Sequence, residues 1–126
     1  HVRSAANARR LADRGVLVTT GAHGQREGLA SHWEIWGFAQ GGMSAVQALQ
    51  SATIVAARKL GMQEDIGSLE AGKLADLVIL DSNPLDDIFQ SDNVDSVMLN
   101  GRLYDAATLN ESVTGDRKTV PFYWQR

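Results

Sequence analysis

Cysteine is absent from the 126-residue chain, which excludes disulfides, thiolate metal ligands and a cysteine nucleophile. No apolar stretch approaches the roughly 20 residues that span a bilayer, and the N-terminus carries no charged-then-apolar signal pattern. A charge field of one sign is also missing. The formal net charge is −3 with acidic and basic residues interspersed, so no basic stripe awaits nucleic acid and no polybasic run a membrane surface. Neither partner is expected. The chain starts at His1 rather than methionine, and the expectation is a piece of a longer protein with any targeting signal outside it. It is also too short for a complete α/β barrel, which needs roughly 250 residues, so it can carry only part of one. What is present is an ordinary globular composition, 44% hydrophobic and 21% charged.

Along the chain, SAANARRLADR (4–14) places Ala5, Ala8, Leu11 and Ala12 on one face, with Gly15 as terminator: a short amphipathic helix. VLVTT (16–20) is β-branched and apolar on successive residues, the pattern of a strand covered on both faces in a parallel sheet. A second helix is expected from Gly28 to Gln40. Ser44 opens a third, with Gln47 completing a capping box. Its apolar face runs Val46, Leu49, Thr53, Ala56, Ala57 and Leu60, and Gly61 suits the left-handed closing position. From Gly67 the text changes to short strands and turns: GSLEAGK, ADLVILD, an Asn83-Pro84 turn, then SVMLNGRLYD, where Asn100-Gly101 predicts a two-residue hairpin. The expected organisation is residues 1–62 from an α/β unit, 63–106 a small β-structure, and 107–126 a tail whose VPFYW cluster docks back on the body.

The words QALQSAT, AARKLG, IGSLEAGKLADLVILD, NPLDDI and VMLNGRLYD, in that order, resemble the C-terminal stretch of metal-dependent amidohydrolases of the imidazolonepropionase-like and prolidase-like kind. GAHGQ and the aromatic ending are similar to members fused to a TolB-like propeller, which leans localisation to the periplasm or outside the cell. The resemblance implies an α/β fold, the C-terminal part of a (β/α)8 barrel plus strands of a small flanking β-sandwich, with VLVTT as barrel strand eight. It implies hydrolysis of amide-type carbon–nitrogen bonds by water activated on a divalent metal, zinc being the expected ion. The substrate is then a small amide, cyclic amide or dipeptide. Most metal ligands belong to earlier strands, so this piece alone is expected to be inactive and to bind no metal.

In such barrels the active site lies at the carboxyl ends of the strands, where GAHGQREG follows VLVTT. Relatives often place an aspartate there; this chain reads Gly21-Ala22-His23. His23 is the candidate catalytic residue, able to act as acid or base near neutral pH or to ligate metal; its bland alternative is a histidine bonded within its own loop. Gln25 and Arg26 are candidate substrate contacts, offering hydrogen bonds and charge at the mouth, against an exposed polar loop. His32 is a third candidate for lining the site, against a structural role on its helix. Glu34, two residues on, faces elsewhere and forms no ligand pair with it. Trp33 and Trp36 are read as packing between the two parts. Asp76, Asp81, Asp86 and Asp87 flank strands and turns, where solvated or capping roles dominate. The glycines Gly21, Gly24 and Gly28 match neither a P-loop nor a dinucleotide fingerprint.

A reading of a different class is a degenerate barrel that binds a ligand or assembles without metal chemistry. Upstream sequence separates the two, since a His-x-His and further strand-end histidines favour the enzyme. In either case the buried strand needs cover, from the remainder of the parent chain or from another copy in a homo-oligomer.

Overall fold

The computed structural model describes residues 2–23, 26, 28–121 and 123. Four helices lead: α1 (Val2–Ala12), α2 (Leu29–Gln40), α3 (Ala45–Ala52) and α4 (Ile54–Leu60). Three strands follow, β1 (Leu77–Leu80), β2 (Val94–Leu99) and β3 (Arg102–Asp105), with a 3₁₀ turn at Ile88–Asp92 between the first two. Among the described residues no helix is long and apolar enough to cross a membrane.

Local chemistry explains the helix ends. Ser44 Oγ accepts from Gln47 N at 3.2 Å while Gln47 Oε1 accepts from Ser44 N at 2.9 Å, the reciprocal capping box expected at α3. Gly61 closes α4 at φ 72. The single helix expected from Ser44 to Leu60 is instead two, broken at Thr53 with φ −126 and ψ −105. Ser51 Oγ donates to Ala48 O at 2.6 Å and Thr53 Oγ1 to Leu49 O at 2.9 Å. Hydroxyls bonded back onto the preceding turn compete with the helical ladder at the point of the break.

The core lies under α2 and α3, where Ile35, Met43, Ala48 and Ile88 are buried together, with Ala8, Val18, Phe38 and Leu49 packed against them. Gly41 allows α1 to come close: a Cβ there would stand 2.4 Å from the Ala5 carbonyl carbon. VLVTT departs from expectation. Only its centre, Val18, reaches the core. Val16 and Leu17 are 50% and 45% exposed beside an open cleft of about 310 Å³, and residues 16–20 form no strand. The reason is partnership: a parallel strand takes its ladder bonds from neighbours on both sides, and no described segment lies alongside.

The small sheet is antiparallel in the order β1-β2-β3. Asn100 and Gly101 turn the β2–β3 hairpin at φ 49 and 77, as a type I′ turn requires. Asp76 Oδ1 accepts from Asn100 N and Asp87 Oδ1 from Phe89 N, while Asn83 Nδ2 donates to Asp86, so three of the four aspartates serve turns. GSLEAGK forms no strand. Lys73 organises it as a turn, Nζ donating to Gln63 O at 2.6 Å and to Ser68 Oγ at 2.5 Å. Gly67 fits there at φ 92, against Ala57 and Ile54 of α4.

Beyond β3 the chain folds back by polar contacts. Glu111, only 4% exposed, pairs with Tyr104 in an isolated bridge. Its carboxylate accepts from Thr114 Oγ1, Thr114 N and Val113 N, which hold its pKa down to about 2. The burial expected of VPFYW does not occur at Val120 or Tyr123, which are 70% and 84% exposed. Phe122 and Trp124 lie outside the described residues.

Candidate functional site

The loop that follows residue 20 is anchored at its start and its end. Glu34, in the middle of α2, accepts a hydrogen bond from Gly21 N through Oε2. At the far side Ala30 N donates to Arg26 O at 2.9 Å, and Gly28, at φ 80, admits the chain to α2 without a side-chain cap. Within this span His23 and Arg26 are both exposed. Both are non-glycine residues at positive φ, 56 and 125. Such backbone costs roughly 1–3 kcal/mol per residue and clusters at functional sites. Gln25, the third candidate of this loop, lies outside the described residues.

Beside the loop a groove of about 700 Å³ is framed by Thr19 and Ala22 on one side and by Trp33, Glu34 and Phe38 of α2 on the other. Its walls are mixed, two aromatic rings and one carboxylate. Ala22, immediately before His23, places the loop at its edge.

His32 sits away from this loop in its contacts. Its Nδ1 lies 3.1 Å from Ser91 Oγ, and Trp36 Nε1 donates to the same oxygen at 2.9 Å. Ser91 is 2% exposed, so one buried hydroxyl on the 3₁₀ turn joins two rings one helical turn apart on α2. Trp36 also meets Phe89 with ring centroids 5.6 Å apart. Trp36 thus packs between the helical part and the β-part, as expected, whereas Trp33 is 45% exposed. His32 and Glu34 point to different partners, Ser91 and Gly21. Reading the sequence set Glu34 aside, and Ser91 escaped it altogether. Neither bond has a periodic signal, since the partners are 13 and 59 residues apart.

The amidohydrolase family profile matches residues 2–104, and the chain belongs to that family. The imidazolonepropionase of Shouchella clausii (strain KSM-K16) is 36% identical over 96 residues, covering 67% of this chain and 21% of that protein. The 5-methylthioadenosine/S-adenosylhomocysteine deaminase of Moorella thermoacetica is 39% identical over 71 residues, 47% of this chain and 17% of its own length. Among solved structures, a Xaa-Pro dipeptidase with methionine bound in its active site superposes with a TM-score of 0.73 at 36% identity, over 81% of this chain and 25% of that one. The chain therefore spans a quarter or less of these relatives. Its fold is part of a TIM-barrel amidohydrolase.

Members of this family are generally metal-dependent. Among the described residues no three His, Asp or Glu side chains come together as a metal site. His23 can offer one imidazole nitrogen, and it belongs to no such group of three among the described residues.

Proposed function

We propose that the chain is the C-terminal part of a metal-dependent hydrolase that cleaves amide-type carbon–nitrogen bonds in small molecules, a cyclic amide or a dipeptide. In this reading residues 16–20 are the last barrel strand, residues 63–106 give strands of a small flanking β-sandwich, and residues 107–126 form a tail. The names of the similar proteins, an imidazolonepropionase and a Xaa-Pro dipeptidase among them, support the substrate class. A divalent ion, zinc by this reading, has most of its ligands on strands outside this chain.

One observation carries the assignment: His23 stands exposed and at positive φ three residues after VLVTT, where a barrel of this family opens its site. From there the imidazole holds or moves a proton at the scissile group, or supplies one ligand. Gln25 and Arg26 are assigned to substrate binding, the Arg26 guanidinium donating hydrogen bonds to carboxylate or carbonyl oxygens. His32 is committed through Nδ1 to Ser91, away from the loop, which leaves Nε2 as the ring nitrogen for any substrate contact.

The test is elemental metal analysis of the full-length protein, wild type beside His23→Ala, with a dipeptide panel assayed on the same samples. Stoichiometric metal in wild type is expected. Activity should fall about 100-fold or more on substitution, the usual size of a lost acid–base group. Metal and activity both unaffected would reduce His23 to an ordinary loop residue, and a metal-free, inactive wild type would favour a binding or assembly role.

A further inference from the structure

Glu34 is on a helix, belongs to no group of three potential metal ligands among the described residues, and holds the start of the His23 loop through its carboxylate. The helix around it is anchored on both sides of Glu34. Ile35 is 6% exposed in the core, and Trp36 and His32 are bonded to the buried Ser91 hydroxyl. A carboxylate rooted there is fixed in place. No cation diverts it: the ion pairs among the described residues are Arg9 with Asp13 and Lys73 with Glu70. Its partner needs fixing, because Gly21 has no Cβ to restrict its backbone, and a Cβ there would meet nothing within 4 Å. The side-chain direction at Gly21 is open space, and the Glu34 hydrogen bond ties its backbone.

We propose that Glu34 is a positioning residue for the hydrolytic site: by accepting the Gly21 N–H it sets the direction in which the loop leaves residue 20, and with it the place of the His23 imidazole two residues on. The proposal rests on the assignment of His23 above. A charge-assisted bond from carboxylate to backbone N–H is stronger than a neutral one. Without it the Gly21 N–H turns to water, the loop start regains the freedom of glycine, and His23 spends most of its time off target.

The experiment is steady-state kinetics of the full-length enzyme in five forms: wild type, Glu34→Ala, Glu34→Gln, His23→Ala and the double variant. Misplacement of a catalytic group by about 1 Å costs up to about 100-fold, so Glu34→Ala should lower kcat about 10- to 100-fold with little change in KM. Glu34→Gln keeps an acceptor oxygen and should retain kcat within about threefold, because the bond loses only its charge assistance. In the His23→Ala background Glu34→Ala should cost nothing more, since its effect runs through His23. Losses that add in the double variant, or wild-type kcat in Glu34→Ala beside an impaired His23→Ala, overturn this proposal alone. Wild-type activity in His23→Ala overturns the assignment of His23 and this proposal with it. Should Glu34→Ala fail to fold, Glu34→Met, with similar length and helix propensity but no acceptor oxygen, takes its place under the same outcomes.

Discussion

Gly67 and Gly72 form a matched pair in which one glycine is required twice over and the other once. Both have the same backbone sense, φ 92 and 97, which an L side chain rarely adopts. A Cβ at Gly72 would meet nothing within 4 Å, whereas at Gly67 it would stand 2.7 Å from Ala57 Cβ, 3.0 Å from Ile54 Cα and 3.2 Å from Ile54 N. Carbon atoms pack at about 3.5–4.0 Å, so the turn must withdraw from α4 by close to 1 Å. Ile54 contributes backbone and cannot rotate away. Gly72→Ala therefore carries only the conformational cost, about 1–2 kcal/mol. Gly67→Ala adds an overpacking cost of about 1–3 kcal/mol, which is about 5- to 150-fold in the folding equilibrium beyond its partner. Equilibrium urea unfolding of wild type and both variants, at unchanged m-value, measures the difference. Equal losses in the two variants would refute the close approach of this turn to α4.

Ser91→Ala leaves the Trp36 indole N–H and the His32 ring without their shared partner, and should cost about 1–3 kcal/mol in the same assay; wild-type stability would show that the hydroxyl does not join α2 to the 3₁₀ turn. Folding lowers the Glu111 pKa from 4.5 to about 2. Its contribution is complete above about 4.5 and fades as pH falls toward 2, because the unfolded chain binds the proton first. Wild type should therefore lose stability across that window and Glu111→Gln should lose less; identical slopes would contradict the bonds from Thr114 and Val113.

Features encoded by neighbours in sequence were legible. The Ser44–Gln47 capping box, the Gly61 helix end and the Asn100-Gly101 hairpin are each written within four residues, and each is present. The break at Thr53 was not legible, because apolar spacing continues through it while the hydroxyls of Ser51 and Thr53 act on the backbone. VLVTT reads as a strand because its composition records the neighbours such a strand needs, and the described residues hold none. For the site, the place of His23 follows from a strand-like run ending in glycine together with the family words. The partners that hold its surroundings, Glu34 for the loop and Ser91 for His32, are tertiary and carry no local signal.

The bond between Gly21 and Glu34 closes residues 21–34 into a ring. Lengthening a closed loop costs little, about 0.6 kcal/mol for each doubling. An inserted residue between Gly21 and Gly28 would thus be tolerated thermodynamically, but with both ends tied it cannot be absorbed by sliding α2. It must bulge outward at the His23 segment. Changes in loop length here would alter the shape of this segment while leaving the scaffold in place.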